Sequence, residues 1–510
     1  MLECLYFMIK TISLKNISQS FLERVILDGA SLKISEGQKL CIVGENGAGK
    51  STLLKIIAGT LPPTKGSLEK NGHIRAHYVP QEYSKENLAR TIEEYIVTNA
   101  GVTLTPKVYR FGKILGFNLE KSAQKHCHEL SGGQQKILAI SCALAVAPDF
   151  LLLDEPENHL DIVSRKELVS LLQDYRGAVL FVSHDRTMID SIADKVVEVA
   201  QGKTHISEGG YQDYIDTKLS RIEGLRREYD KEAKRIRQLQ AGIGILEAKA
   251  FRGKEVSAYA KAKKELEDLR AKHKEEGEPE DKKTRVVLQN STSALHGGKL
   301  LCRVEKMSFG YPGNKGDIIK DISLDIRTGQ HIVLLGRNGS GKSTFLKCLM
   351  GGLKPKEGSV SWAESLKTAY FDQHAEFDPQ KNAFQIVCDE LHVPDQKARA
   401  ILGMMKFSKE KMEIVTRDLS GGERMRIRFA LVFGANPDFI IFDEPTNHLD
   451  EVTWEILLDA CNKTTSTILL VTHDHEFIDE LGKKTFWLLK GQQVKERAAD
   501  LEDLIEELRN

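Results

Sequence analysis

The sequence predicts an α/β fold made twice: two P-loop domains joined by a helical-hairpin linker. Three observations predict it. The nine residues Gly44-Glu45-Asn46-Gly47-Ala48-Gly49-Lys50-Ser51-Thr52 return as Gly336-Arg337-Asn338-Gly339-Ser340-Gly341-Lys342-Ser343-Thr344. Each copy follows an apolar run (residues 40–43 and 332–335), and helix formers come next. Between the copies lies a stretch rich in Arg, Lys, Glu and Ala, with apolar residues at helical intervals.

The spacing G-x-x-x-x-G-K-[ST] between a strand and a helix has a chemical logic. Glycines let the backbone curl until its N–H groups point inward at an anion. Lys50 and Lys342 each bring a point charge toward the β- and γ-phosphates. Ser51 and Ser343 offer hydroxyls to Mg²⁺. The helix that follows turns its positive end to the same anion. Two such loops in the right context indicate two nucleotide sites.

A chain of 510 residues is too long for one core. Its 41% hydrophobic and 29% charged residues describe an ordinary globular protein. The formal net charge is zero, so a basic surface must be local. Eight cysteines are scattered without a C-x-x-C pair, which fits a reducing compartment and a cytoplasmic location. His126-Cys127-His128 has no second cluster at ligand spacing, so no metal is expected there. No apolar run is long enough for a membrane span. The opening residues lack a basic segment and a cleavage site, so no signal peptide is expected, and Met8 serves equally well as a start. The C-terminus shows no lipidation signal.

The first unit is assigned to residues 1–214. Residues 12–17 and 30–34 read as strands, with Phe21 between them as a candidate adenine platform. Gln81 follows a short apolar strand, and residues 91–122 read as mostly helical. Leu130-Ser131-Gly132-Gly133-Gln134 precedes a run of helix formers and makes a second anion cradle. An apolar strand then ends in Asp154-Glu155, a way to present one carboxylate to Mg²⁺ and another to water. Asn158-His159-Leu160-Asp161 comes next, and a further apolar strand delivers His184.

Residues 215–298 form the predicted linker: two antiparallel helices, with Gly242-Ile243-Gly244 expected to interrupt the first and residues 255–273 forming the second. Residues 218–274 hold 17 basic against 9 acidic side chains, a footprint suited to RNA. Lys254, Lys261, Lys263 and Lys264 are expected near the tip. Residues 299–510 repeat the first unit in order: Tyr311, the second loop, Gln373, Leu419-Ser420-Gly421-Gly422-Glu423, Asp443-Glu444, Asn447-His448-Leu449-Asp450 and His473. Asp154 to Asp443 and His184 to His473 both span 289 positions, and Gln81 to Gln373 spans 292: an internal duplication. Alternating strands and helices in each copy predict a largely parallel sheet. Residues 501–508 read as a short terminal helix.

Taken together, these motifs resemble those of ATP-binding cassette ATPases. The run D-E-P-T-N-H-L-D at residues 443–450 resembles more narrowly the F subfamily, translation factors that bind the ribosome. The resemblance implies a monomer whose cassettes face each other head to tail with ATP between them. One site would use residues 44–52, Gln81, Asp154, Glu155 and His184, closed by Ser420-Gly421-Gly422-Glu423. The other would use residues 336–344, Gln373, Asp443, Glu444 and His473, closed by Ser131-Gly132-Gly133-Gln134. Mg²⁺ would be held by Ser51, Gln81 and Asp154, and by Ser343, Gln373 and Asp443. Glu155 and Glu444 would polarise the attacking water, His184 and His473 would face the γ-phosphate, and Phe21 and Tyr311 would stack on adenine. The resemblance further implies a clamp on the ribosome near the tRNA exit site. Residues 218–274 would reach P-site tRNA and ribosomal RNA, to modulate translation or to protect against ribosome-targeting antibiotics, and hydrolysis would trigger release.

Two alternatives belong to other classes. A subunit energising a separate membrane transporter would have a longer helical subdomain than the roughly 80 residues from Lys50 to Ser131, and no use for a basic hairpin. A repair or chromosome ATPase would carry zinc modules or very long coiled coils. One departure stands out: Glu157 occupies the position of Thr446. An extra carboxylate beside Glu155 is expected either to weaken hydrolysis by repulsion or to face solvent. Two competent sites are expected, with their equality left open.

Overall fold

The computed structural model describes residues 9–21, 24–250, 257, 260–267, 269, 298–312, 316–371, 376–447 and 449–509. Contacts divide the chain into two units, Met1–Ile206 with Val286–Asn510, and Ser207–Arg285.

The larger unit holds two six-stranded sheets of the same order. In the first, the strands lie side by side as Ala76–Val79, Phe150–Asp154, Ala178–Val182, Lys39–Val43, Lys195–Ala200 and Lys203–Glu208. The first five run parallel. Phe150–Asp154 and Ala178–Val182 are buried at every position, which is why they read as unbroken apolar runs rather than alternating ones. The second sheet repeats the pattern with Thr368–Phe371, Phe439–Asp443, Thr467–Val471, His331–Gly336, Thr485–Lys490 and Gln493–Arg497, the last strand antiparallel. A three-stranded antiparallel sheet accompanies each: Arg24–Ser35, Thr11–Phe21 and Lys65–Asn71, and its copy Ile319–Arg327, Leu300–Phe309 and Glu357–Trp362. The predicted α/β class is therefore the observed one. Phe21 ends the strand Thr11–Phe21.

Along the chain between the strands Ala76–Val79 and Phe150–Asp154 lie the helices Ile92–Asn99 and Thr105–Ile114, where helical residues were expected, and then Gly132–Val146. The last is nearly all buried, with Leu138, Ile140, Cys142 and Ala143 in the core. The terminal helix Leu501–Arg509 places Leu501, Leu504, Ile505 and Leu508, spaced i, i+3, i+4, i+7, into the core of the second half. Ile162 and Val163 of the first half join that same cluster. The opposite, polar side of the terminal helix reaches the first half. Lys166 Nζ lies 2.5 Å from Glu502 Oε2, and Arg509 Nη2 lies 2.7 Å from Glu167 Oε1.

In the smaller unit one helix runs unbroken from Tyr211 to Ala250. The expected interruption at Gly242-Ile243-Gly244 is absent. A glycine inside a helix costs about 1 kcal/mol, too little to end one of 40 residues. Residues 260–267 are helical too. Arg235 Nη2 meets Glu265 Oε1 at 2.7 Å, and Ile236 and Leu266 are the buried apolar pair, so the second stretch folds back on the first as the hairpin requires. Lys254 lies outside the described residues. No helix among the described residues is long and apolar enough to cross a membrane.

Ile505→Ala removes a fully buried side chain from the terminal helix and should cost about 2–5 kcal/mol. Calorimetry should show a lower transition for the second half; an unmoved thermogram would mean the helix contributes no core.

Candidate functional site

In each half the predicted residues gather at the carboxyl ends of the parallel strands, where a doubly wound sheet leaves its crevice. The loop after Val43 leads into the helix Lys50–Ala58, and the loop after Leu335 into Lys342–Leu349. Gly49 and Gly341 sit just before these helices at φ 104° and 106°. A Cβ there would come within 2.8 Å of Ile26 and 2.6 Å of Ile318, so both turns need glycine. Each lysine closes its own loop. Lys50 Nζ donates to Gly44 O (2.8 Å) and Glu45 O (3.1 Å); Lys342 Nζ donates to Gly336 O (2.8 Å) and Arg337 O (3.3 Å). Burial lowers the pKa of both ammonium groups, and the acids around them resist the shift.

The first site is a cleft of about 620 Å³ whose walls include Phe21, Asn46, Lys50, Ser51, Gln81 and Glu155. Phe21 is 47% exposed there, so its ring presents a free face. Asp154 accepts from Ser51 Oγ at 3.1 Å and from Tyr78 Oη at 2.9 Å. Glu155 Oε2 accepts from Gln81 Nε2 (2.6 Å) and Asn158 Nδ2 (2.5 Å). Gln81 is thus bonded to Glu155, whereas Ser51 is bonded to Asp154. His184 Nε2 is buried with no hydrogen-bond partner among the described residues. Burial, then Lys50, pushes its pKa down to about 4, so the ring is neutral at pH 7.

In the second site burial raises the pKa of the Asp443 carboxyl, and the Ser343 hydroxyl beside it opposes the shift. His473 Nε2 stands 3.2 Å from Glu444 Oε1. Tyr311 Oη lies 3.5 Å from Thr344 Oγ1. Gln373 and His448 lie outside the described residues. Glu155 and Glu444 share a feature that their sequence does not announce: both are left-handed, at φ 45° and 51°. Each is pinned by its own N–H, to Val182 O and Val471 O respectively. A non-glycine residue held there stores about 1 kcal/mol or more, a cost that clusters at working sites.

The two halves complete each other. Asn338 N, in the second phosphate loop, donates to Asp161 Oδ2 at 2.8 Å, and its Nδ2 donates to His159 O at 2.7 Å. Arg337 Nε approaches the same Asp161 oxygen at 4.0 Å. A Cβ on Gly133 would sit 2.3 Å from His159 O and 2.9 Å from Asn338 Nδ2. Ser131 caps the helix Gly132–Val146 in a capping box with Gln134, and Ser420 does so with Glu423 for Gly421–Gly434. On the other side Asp450, which caps Glu451–Lys463, acts electrostatically on Lys50 and His184. A Cβ on Gly422 would meet Asp450 Oδ2.

Glu157, expected beside Glu155 or in solvent, is 5% exposed. Its Oε1 accepts from Ser183 Oγ (2.6 Å) and His184 N (3.3 Å). Burial raises its pKa to about 7. The solvent-facing alternative is therefore excluded.

Two phosphate loops, each at a strand end, the second seated against the first half's serine-capped helix, define a tandem nucleotide-binding P-loop ATPase. A family model described as ABC transporter matches residues 27–158 and 319–447. One described as AAA domain, putative AbiEii toxin, Type IV TA system, matches residues 127–190. The putative ATP-binding protein YdiF of Bacillus subtilis is 30% identical, over 96% of this chain and 81% of its own. ATP-binding cassette sub-family F member 3 of Mus musculus is 30% identical over 95% of this chain and 72% of its own. The archaeal ribosome recycling factor aABCE1, solved in complex with ribosomal stalk protein aP1, shares the fold with a TM-score of 0.65. It is 21% identical over 97% of this chain and 92% of that one. The chain belongs to the F subfamily of ATP-binding cassette proteins. It binds ATP and is an ATP hydrolase.

Sequence reasoning passed over Lys136, Tyr78 and Asn158, which bond the predicted residues. The available signal was the comparison of halves: position 136 is Lys where 425 is Met.

Burial raises the Glu444 pKa to about 7, with Lys342 and then Arg165 opposing. A raised carboxyl stabilises the fold fully below its unfolded value of 4.5, and that contribution is lost as pH climbs through about 7. Its side chain keeps 24% exposure, which softens the effect. Nucleotide-free wild type should therefore lose about 1–3 kcal/mol against Glu444→Gln between about pH 5 and about pH 8. Paired melting curves at the two pH values read this directly; a constant gap would mean that the acid is already ionised in the fold.

Proposed function

We propose that the protein is an ATP-gated clamp that binds the ribosome through its basic hairpin. The observation that carries the clamp is the second phosphate loop seated against Asp161 and Gly133 of the first cassette. That geometry leaves each nucleotide position bounded by both halves. Lys50 and Lys342 neutralise phosphate charge, and Phe21 and Tyr311 stack on adenine. Ser131–Gln134 and Ser420–Glu423 cap the γ-phosphate from the opposite cassette.

The hydroxyl–carboxylate pairs Ser51–Asp154 and Ser343–Asp443 fit a hard divalent cation, because both are oxygen donors already drawn together. Mg²⁺ held there, with Gln81 and Gln373 completing the set, would neutralise charge on the β- and γ-phosphates. Glu155 and Glu444 orient and polarise the attacking water. His184 and His473, neutral at pH 7 because they are buried, donate or accept one hydrogen bond at the γ-phosphate. Losing the γ-phosphate removes the group both halves hold, and the clamp relaxes.

Residues 1–214 and 299–510 act as the cassettes, and residues 215–298 as the reader of their closure. The excess of 17 basic over 9 acidic residues in 218–274 suits backbone contacts to ribosomal RNA and P-site tRNA, by shape and charge. Two proteins of similar fold are themselves described with ribosomal components: the ribosome recycling factor aABCE1 with a stalk protein, and ribosome-bound archaeal ABCE1. Modulation of translation and protection against a ribosome-targeting antibiotic both fit such a hook.

The Glu155→Gln, Glu444→Gln double variant should trap the closed form. In ATP it should comigrate with ribosomes on a sucrose gradient, and should leave them at raised salt. Free protein at the top of the gradient in ATP, ADP and no nucleotide would refute the ribosomal reading.

A further inference from the structure

The two halves differ at two buried positions that change together. Lys136 is 3% exposed, and its Nζ donates to three backbone carbonyls: Pro80 O (3.1 Å), Gln81 O (3.2 Å) and Asp154 O (3.0 Å). Glu157 is 5% exposed and accepts from Ser183 Oγ and His184 N through one oxygen; its other oxygen is buried with no hydrogen-bond partner among the described residues. Between them, the two side chains hold the strand ends that carry Gln81, Asp154 and His184.

In the second half the matching residues, 289 positions on, are Met425 and Thr446. Thr446 Oγ1 simply meets Thr472 Oγ1 at 2.7 Å, where Thr472 matches Ser183. One half therefore buries a cation and a carboxylate around its site, and the other buries neither of that pair. A lone charge buried without its opposite is costly, whereas a pair is tolerated when its hydrogen bonds are made. Among charges, Glu157 has the largest influence on Lys136: burial lowers the ammonium pKa to about 8, and Glu157 is the first group that opposes the shift. The two positions lie on different elements, yet both brace strand ends of the same site: Lys136 through Gln81 O and Asp154 O, Glu157 through His184 N.

We propose that Lys136 and Glu157 are a matched pair of positioning residues that pre-sets Gln81 and His184 in the first ATP site, and that the second site works without such a brace. The brace rests on the proposed function above, in which Gln81 helps hold Mg²⁺ and His184 faces the γ-phosphate. It makes the first site the pre-organised one. The second instead borrows order from across the interface, through Asn338 and Asp161. Preorganised groups lower the barrier because they need not be reordered during reaction, so the pair should act on kcat more than on KM.

The test is a double-mutant cycle with the second half's own residues: Lys136→Met, Glu157→Thr and both together. ATPase is read in a Glu444→Gln background, which reports the first site, and in a Glu155→Gln background, which reports the second. Each single variant should lower first-site kcat by about tenfold, leaving a buried charge alone, with KM changed by less than about threefold. The double should recover at least about threefold over the worse single, because two groups that brace the same strand ends are expected to be non-additive. Second-site rates should stay near wild type, which also reports folding. Equal losses in both backgrounds, or multiplicative losses in the double, overturn the pair. His184→Ala separates the two levels. If it abolishes first-site turnover while the three brace variants remain active, the brace alone falls. If it leaves turnover intact, the site reading falls and the brace with it.

Discussion

One carboxylate joins the halves of this molecule. Asp161 Oδ1 accepts the N–H of Ser164 and so starts the helix Ile162–Gln173; Asp161 Oδ2 accepts the N–H of Asn338. The side chain is 4% exposed, so both bonds are made out of water. A charge-assisted bond to a buried carboxylate is about twice as strong as a neutral one. The first bond is a matter of local helix capping. The second ties the second cassette's phosphate loop to the position of that cap. In the clamp proposed above, a shift of the strand end at Asp154-Glu155 would reach the second phosphate loop through Asp161. Coupling of this kind needs no long pathway, because the two sites share a wall.

That wall also explains why the motif order was legible while much of its wiring was not. A phosphate loop, a strand-end acid pair and a glycine-capped helix are local devices. Their spacing follows from a nine-residue turn or a single strand, so the sequence displays them directly. The buried strands Phe150–Asp154 and Ala178–Val182 were legible for the same reason: both faces are covered, so every position is apolar. The left-handed Glu155 and Glu444 were not, because glutamate carries no propensity for that conformation; the bonds to Val182 O and Val471 O impose it. The residues alone mark Asp161 as a helix-start acid, and the family resemblance assigns it to the interface; it is both. Only tertiary placement gives its second oxygen a partner in the other half. The helix Tyr211–Ala250 shows the converse error. Gly242 and Gly244 suggested a break, but neighbouring helix formers and the pairing of Ile236 with the returning stretch outweigh two weak positions.

A duplicated chain offers a comparison that one copy cannot. Positions 45 and 337 hold Glu and Arg, 136 and 425 hold Lys and Met, 157 and 446 hold Glu and Thr. Each change alters charge within the same small region of its half. Arg337 approaches Asp161 across the interface; Glu45, at the same place in the other loop, carries the opposite sign. Burying Lys136 and Glu157 adds a second electrostatic difference, this time beneath the site instead of at its rim.

These differences act on separate terms. A charge at the rim biases how readily the two halves meet, since it is felt across the interface and weakened by salt. A charge pair beneath the site, sheltered from solvent, sets how well ordered the catalytic groups are once they have met. The halves therefore divide two requirements of one cycle. In the proposed cycle, the second phosphate loop, with Arg337 and Asn338, would supply contacts that bring the cassettes together, and Lys136 and Glu157 would hold the groups of the first site in place. A chain with two identical sites would have to meet both requirements with the same residues twice over. On that proposal, the charge differences at three paired positions would let closure and turnover be adjusted independently.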